Sequence, residues 1–159
     1  MTRDKFTIFI DGACEPVNPG GTMGFGVAIL DGDRDVWACS GIAPHPDKTS
    51  SSNLAEYAAL LAALCWLLDS GHRDRQIEIL SDSKMLVEQM CGRWQIGRGH
   101  YIKAALEAHK LAAGFPDLTF RWIPRERNSR ADALSKAALI KAGVTIRPEP
   151  SRSASARAA

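Results

Sequence analysis

The chain has 159 residues, a formal net charge of +2 at pH 7 and a hydrophobic content of 45%. This length suits one domain with a sizeable core, and the composition is typical of a globular protein, not of a disordered or fibrous one. No apolar stretch approaches the roughly 20 residues that cross a bilayer. The first residues, MTRDK, lead straight into an apolar run, so we expect no signal peptide and no membrane partner.

The cysteines show neither a CxxC spacing nor a regular framework. They occur singly, at Cys14, Cys39, Cys65 and Cys91. Isolated cysteines of this kind are typical of reduced thiols and not of disulfides or a zinc site. We therefore expect a cytoplasmic protein.

The first half of the chain predicts three strands and one long helix. Alternating and β-branched apolar residues predict strands at about 5–11, 24–30 and 34–41. The sequence Asp31-Gly32-Asp33 between the last two strands is typical of a hairpin. After a loop rich in Pro and Ser, apolar residues at helical spacing predict a helix over about 54–69.

The second half predicts two further strands and three helices, followed by a polar tail. The strands are expected at 77–80 and 118–123, and the helices at about 81–90, 101–113 and 131–143. This order predicts an α/β domain over residues 1–146, in which an antiparallel meander joins parallel strands in a mixed five-stranded sheet flanked by helices. The small, polar and Pro-containing residues 147–159 predict a disordered tail.

Four carboxylates stand at the ends of predicted elements: Asp11, Glu56, Asp82 and Asp132. Each also has a purely structural interpretation. Asp11 precedes a glycine and is compatible with a turn, whereas Asp82 could begin the helix that follows it. The other two acids stand three residues after Asn53 and Ser129, which is the spacing of a capping box.

Taken together, the four acids favour a metal site. The strands that precede Asp11 and Asp82 are expected to be parallel neighbours, so both carboxylates emerge at one edge of the sheet. Helices packed on the sheet can bring Glu56 and Asp132 to the same edge. Crowded carboxylates repel each other unless a cation compensates them, and hard oxygen ligands favour Mg²⁺ or Mn²⁺. Such a site serves in-line displacement at phosphorus with two metal ions about 4 Å apart.

Four stretches resemble the type 1 ribonucleases H, and they occur in that family's order. They are IDGACEPVNPGG, SSSNLAEYAAL, LSDSK and WIPRERNSRADALS, and the resemblance covers residues 5–142. It implies a catalytic and metal-binding set of Asp11, Glu56, Asp82 and Asp132. It also implies endonucleolytic hydrolysis of the RNA strand of RNA–DNA hybrids, leaving 5′-phosphate and 3′-hydroxyl ends.

The resemblance further implies that Asn18 and Asn53 contact the substrate. Amides suit this task because hydrogen bonds to the 2′-hydroxyl distinguish RNA from DNA. From the residues alone, Asn18 is equally compatible with a turn and Asn53 with a helix cap. Gly12, which has no β-carbon, would allow a backbone or phosphate to approach Asp11 closely.

Two departures from the family pattern concern the substrate. The loop PRERN lacks the histidine that often assists the family's proton transfer or product release. Of its residues, Arg125 can hold a phosphate and Glu126 can exchange a proton. The family's basic protrusion is also minimal here, because only CGRWQIGRGHY separates two helices. Trp94 in that segment could stack on the substrate or pack against the protein.

We therefore expect a monomeric ribonuclease H that acts on RNA–DNA hybrids without an obligate protein partner. Two other classes stay open: a different nuclease on the same acidic fold, and a weakly active hybrid-binding module. The intact set of four acids argues against the hybrid-binding module, because a pure binding protein gains nothing from carboxylates that face phosphates.

Overall fold

The computed structural model of the protein describes residues 5–44 and 49–149, and its elements follow the predicted order. The strands are β1 (Phe6–Glu15), β2 (Thr22–Asp31), β3 (Arg34–Ala43), β4 (Ile77–Ser81) and β5 (Leu118–Trp122). The helices are α1 (Ser52–Asp69), α2 (Lys84–Met90), α3 (Ile102–Ala112) and α4 (Ser129–Lys141), with a 3₁₀ turn at Arg125–Arg127. Of the predicted tail, residues 150–159 lie outside the described residues.

The five strands form one mixed sheet in the spatial order β3-β2-β1-β4-β5. The first three strands pair antiparallel as a meander, whereas β1 with β4 and β4 with β5 pair parallel. At the predicted hairpin, Asp31 pairs with Arg34 around a turn in which Gly32 has a φ of +61°. The predicted α/β fold class is confirmed, and so is the predicted parallel pairing of β1 with β4.

The first strand is longer than predicted, which corrects the position of Asp11. β1 continues to Glu15 because it pairs with β2 over its whole length, and Asp11 lies opposite Gly26 in mid-strand. The parallel pairing of β1 with β4 ends earlier, at Phe9. Asp11 therefore lies just beyond the parallel part of the sheet and not at the end of its strand.

The helices cover both faces of the sheet. α1 packs on β1 and β2 through apolar residues such as Leu60 and Leu64, which share a buried core with Ile8 and Ile10. α4 packs on the same central strands and on β3. Because successive residues of a strand face opposite sides, Gly12 faces α1 whereas Asp11 and Gly26 face α4. None of the helices in the described residues is long and apolar enough to cross a membrane.

Both helices touch the sheet backbone to backbone. A β-carbon added at Gly12 would lie 2.3 Å from the backbone nitrogen of Glu56, and one added at Gly26 would lie 2.4 Å from the carbonyl oxygen of Ala131. Real β-carbons do not tolerate such distances, so only glycine permits this packing. The contacts hold α1 and α4 at the level of Asp11.

A buried hydrogen-bond network fixes the short connection between α2 and α3. The Tyr57 hydroxyl donates to Gln89 Oε1 at 2.7 Å, and Gln89 Nε2 donates to the Tyr101 hydroxyl at 3.0 Å and to the Gln95 carbonyl at 3.1 Å. The two tyrosine rings stack with centroids 5.8 Å apart. This network anchors to the core the segment that carries Trp94.

We predict that Gly26→Ala destabilises the protein by about 1–3 kcal/mol, because the added methyl group would overlap α4 and push it outward. Gly97→Ala is the matched control, since Gly97 has no heavy atom within 4 Å of the added β-carbon. Urea unfolding of the two variants and the wild type measures the difference. A loss of stability no greater than in Gly97→Ala would contradict the proposed contact.

Candidate active site

Four carboxylates from four different elements meet at one place. Asp11 lies in β1, Glu56 in the first helical turns of α1, Asp82 directly after β4, and Asp132 in the first turn of α4. Carboxylate oxygens of Asp11, Glu56 and Asp82 all lie within 4.8 Å of one another. Asp132 hydrogen-bonds Asp11, so the fourth acid borders the same cluster. All four line one open cavity.

The structural alternatives for three of these acids are wrong. The N-cap of α1 is Ser51, whose side chain accepts the Leu54 N–H at 3.1 Å, so Asn53 does not form a capping box with Glu56. The N-cap of α2 is Ser83 and not Asp82. The start of α4 has no side-chain cap, and Ser129 is already helical there.

The remaining structural alternative, a turn at Asp11, is also wrong. β1 continues through this residue and through Gly12 to Glu15. The side chain of Asp11 is nevertheless a buried carboxylate in a strand, where an acid has no structural advantage. Its presence there has to be explained by what it binds.

Burial and mutual repulsion keep the acidic cluster from ionising easily. Burial, followed by the charges of Asp82 and Asp132, raises the pKa of Asp11 from an ordinary value of 3.8 to about 8. Burial and the charges of Asp11 and Asp82 raise the pKa of Glu56 well above its usual range. Burial also raises the pKa of Asp82. A site in which three neighbouring acids resist ionisation is one that a bound cation would stabilise strongly.

Asn128 is a site residue that the sequence interpretation missed. Its fully buried side chain donates from Nδ2 to the Ile10 carbonyl at 2.8 Å and hydrogen-bonds the Asp82 carboxylate, which opposes the rise in that acid's pKa. Trp122 Nε1 donates to the backbone carbonyl of Asp82 at 3.1 Å. Asp82 is thus held by Trp122 at the end of β5 and by Asn128 at the start of α4. In the sequence, only the position of Asn128 just before the last predicted helix could have indicated a role for this residue.

Basic side chains border the acids on one side of the cavity. Lys136 Nζ lies 3.1 Å from Asp132 Oδ2, one helical turn away. Arg147 Nε donates to Glu15 Oε2 at 2.8 Å, and its Nη2 donates to the Cys14 carbonyl at 2.9 Å. Burial alone would raise the pKa of Glu15. The hydrogen bonds and the charge of Arg147 outweigh this effect and hold that pKa below its usual value. Neither Lys136 nor Arg147 was among the site residues assigned from the sequence.

The structure brings only part of the predicted substrate-binding set to the cavity. Gly12, Asn18 and Arg125 line it. Gly12 faces the backbone of α1, and its N–H hydrogen-bonds the Glu56 carboxylate. Asn18 Nδ2 donates to Ser52 Oγ at 2.8 Å, and Asn18 Oδ1 accepts the Ser52 N–H at 3.1 Å, which joins the NPGG loop to α1.

Three predicted residues are not among those that line the cavity. Asn53 is exposed in the first turn of α1, and Glu126 is exposed in the 3₁₀ turn. Trp94 follows α2 and has 48% of its surface exposed. Contact of these three side chains with a substrate stays a prediction.

The acidic cluster fits a hard divalent cation. Its donors are carboxylate oxygens, which is the ligand type that Mg²⁺ and Mn²⁺ prefer. Glu56 Oε2 is buried and has no hydrogen-bond partner in the structure. Since a buried carboxylate oxygen without a partner is costly, this atom is the strongest sign that the cluster can receive a cation.

Comparison with known proteins agrees with this architecture. The reverse transcriptase-like family matches residues 9–138. Ribonuclease HI of Halobacterium salinarum is 34% identical over 131 residues, which cover 82% of this chain and 62% of that protein. The bifunctional protein Rv2228c of Mycobacterium tuberculosis is 32% identical over 135 residues. The match covers 85% of this chain but 35% of Rv2228c, so the chain spans about a third of that relative's length.

Solved structures are similar over nearly their whole length. The crystal structure of RNase H1 from Halobacterium salinarum superimposes with a TM-score of 0.74 at 30% identity, covering 86% of this chain and 98% of that one. LC11-RNase H1, whose structure was solved in complex with an RNA/DNA hybrid, superimposes with a TM-score of 0.77 at 31% identity and the same coverage. These similarities define a nuclease of the ribonuclease H fold. The chain belongs to the type 1 ribonuclease H family, as its four motifs indicate.

We predict that the metal-free protein loses stability as the pH rises from about 5 to 8. The folded state holds the Asp11 proton up to a pKa of about 8, whereas the unfolded chain releases it near 3.8. Between these values the folded state binds more protons, so the free energy of unfolding falls with increasing pH.

Thermal unfolding in the presence of a chelator, followed at several pH values, measures this effect. Adding Mg²⁺ or Mn²⁺ should raise the melting temperature most at the high end of the range, because carboxylates bind metal only when deprotonated. A melting temperature that rises with pH between 5 and 8 without metal would contradict the predicted pKa shift. Asp11→Asn serves as the control, because it removes one of the three acids with a raised pKa and should therefore make the loss of stability with pH smaller.

Proposed function

We propose that this protein is a divalent-metal-dependent endonuclease that hydrolyses the RNA strand of RNA–DNA hybrids, leaving 5′-phosphate and 3′-hydroxyl ends. The observation that carries the proposal is the meeting of four acids from four elements in one cavity, together with the buried Glu56 Oε2, which has no hydrogen-bond partner. The hybrid complex of the similar LC11-RNase H1 supports the substrate class. The free thiols of all four cysteines support the predicted cytoplasmic location.

Asp11, Glu56, Asp82 and Asp132 are the proposed ligands of the cation, with Mg²⁺ expected and Mn²⁺ as the alternative. Two such ions held by these carboxylates would supply activation of the attacking water and charge stabilisation of the leaving oxygen in phosphodiester hydrolysis. The protein's own contribution is to hold the four carboxylates at the edge of the sheet. Asn128 orients Asp82, and the N–H of Gly12 orients Glu56.

The residues on the rim of the cavity are proposed to recognise the nucleic acid. Arg125 lines the cavity with an exposed guanidinium, which is suited to bind a backbone phosphate. Asn18 is held by Ser52 at the opening of the cavity, and its amide retains donor and acceptor capacity for a 2′-hydroxyl. Contact with a 2′-hydroxyl would favour RNA over DNA at the cleaved strand. For Asn53, substrate binding is proposed from the family resemblance alone.

We predict that the protein cleaves the RNA strand of a labelled RNA–DNA hybrid with Mg²⁺ and leaves double-stranded DNA intact. Asp82→Asn should abolish cleavage because it removes one charge that binds the cation. The same change relieves repulsion, so the melting temperature without metal should be unchanged or higher. Parallel incubations with hybrid, double-stranded RNA, double-stranded DNA and single-stranded RNA measure the substrate class.

Asp117→Asn is the matched control, since Asp117 is an exposed acid in the loop before β5. Substantial activity in Asp82→Asn would mean that Asp82 does not bind an essential cation. Equal cleavage of hybrid and double-stranded DNA would favour another nuclease on this fold. Hybrid binding without any cleavage would favour a binding module.

We predict that Glu126→Gln lowers the turnover of hybrid by about tenfold or less. Its side chain is exposed on the 3₁₀ turn outside the cavity, so it can assist proton transfer or product release only as an auxiliary group. A committed general acid or base would contribute about 10²–10⁴-fold. Steady-state kinetics beside Asp11→Asn measures the difference, and equal inactivation of the two variants would place Glu126 in the central site.

A further inference from the structure

A carboxylate of the chain itself lies between two cations at the edge of the acidic cavity. Glu149 Oε1 accepts hydrogen bonds from Arg125 Nη2 at 2.7 Å and from Lys136 Nζ at 2.8 Å. Arg125 and Lys136 both line the cavity, and Lys136 also contacts Asp132. The two basic groups therefore already form an anion-binding pair, and Glu149 occupies it.

The segment that carries Glu149 is tied to the end of β1. Two residues earlier, the backbone N–H of Arg147 donates to Glu15 Oε2 at 3.1 Å, and its guanidinium contacts the same carboxylate oxygen and the Cys14 carbonyl. Residues 147–149, which we call the C-terminal strap, thus run from the end of β1 to the two cations. Arg147 of the strap lines the acidic cavity, and Glu149 contacts two further residues that line it.

A nucleic-acid substrate needs cations at this place. Its phosphates carry negative charge and must approach a cluster of four acids, so basic groups beside the cluster are valuable for binding. A phosphodiester resembles a carboxylate in charge and in its pair of acceptor oxygens, and guanidinium binds both in the same way. The Glu149 carboxylate, which Arg125 and Lys136 hold in the free protein, is therefore an anionic oxygen ligand like a backbone phosphate.

We propose that Arg125 and Lys136 form a phosphate-binding site for the nucleic-acid backbone, and that Glu149 of the C-terminal strap blocks this site until the substrate displaces it. This inference rests on the proposed function for the identity of the polyanion. The strap would lower the affinity for weakly bound nucleic acids, because each must first displace the carboxylate.

The ion pair between Arg125 and Glu149 is exposed enough for a polyanion to compete with it. Arg125 and Glu149 have 59% and 55% of their side-chain surfaces exposed, and ion pairs this exposed contribute little to stability. A duplex that makes several phosphate contacts can overcome such a pair. The predicted gain on removing the carboxylate is correspondingly modest, about two- to fivefold in affinity.

The test is the affinity of Glu149→Gln for a fluorescently labelled RNA–DNA hybrid, measured by anisotropy in a chelating buffer so that no cleavage occurs. We expect binding two- to fivefold tighter than that of the wild type. Glu107→Gln is the matched control, since it removes the same charge from an exposed position of α3. In an Arg125→Ala background, the effect of Glu149→Gln should be smaller than in the wild type, because only Lys136 of the two cations remains to be released.

A second probe separates this inference from the proposed function. Inorganic phosphate is titrated while the NMR signal of Arg125 Nε–Hε is followed, and phosphate should shift that signal further in Glu149→Gln than in the wild type. If the wild type cleaves hybrid but Glu149→Gln binds it no better than Glu107→Gln, the inference is wrong and the proposed function stands. If the wild type neither binds nor cleaves hybrid, the proposed function is wrong. A phosphate response that depends on Glu149 would then still support the anion site, and its absence would overturn it.

Discussion

Two contacts between helix backbone and sheet backbone determine where the acids lie. Gly12 and Gly26 face opposite sides of the sheet, and each lacks the side chain that would hold a helix away. α1 consequently rests on one face and α4 on the other, with Asp11 between their first turns. A methyl group at Gly12 would push against the backbone of Glu56, and one at Gly26 would push against Ala131, the residue before Asp132. The distances between the four carboxylates depend on this close packing of α1 and α4 against the sheet.

Neighbouring residues hold the acids in place, in addition to the hydrogen bonds that Asp11 makes with Glu56 and Asp132. Gly12 binds Glu56 through its N–H, Asn128 binds Asp82, and Lys136 binds Asp132. These contacts orient the carboxylates without neutralising the centre of the cluster, where burial and repulsion raise the pKa values of Asp11 and Glu56. The fold therefore keeps an arrangement of charge that is unfavourable for stability, as functional sites often do.

The sequence was sufficient to predict the fold class and the approach of the four acids to one another, because those signals are local. Periodicity identified each strand and helix, and the acids stood beside them. The end of β1 was misjudged because Asp11-Gly12 is a local turn signal, whereas pairing with β2 keeps the chain extended to Glu15. Asn128 and Arg147 were missed because their partners are distant: 118 residues separate Asn128 from Ile10, and 132 separate Arg147 from Glu15. No local pattern could reveal such pairs.

The attachment of Arg147 to Glu15 also decides where a neighbouring module would begin. A domain, dye or peptide joined directly after residue 149 would leave the fold beside the acidic cavity and not at a remote surface. A short flexible linker there would hold its cargo at a local concentration in the millimolar range. A nucleic-acid-binding module placed at that junction would deliver its ligand directly to the acidic cavity, whereas a bulky inert one would obstruct it.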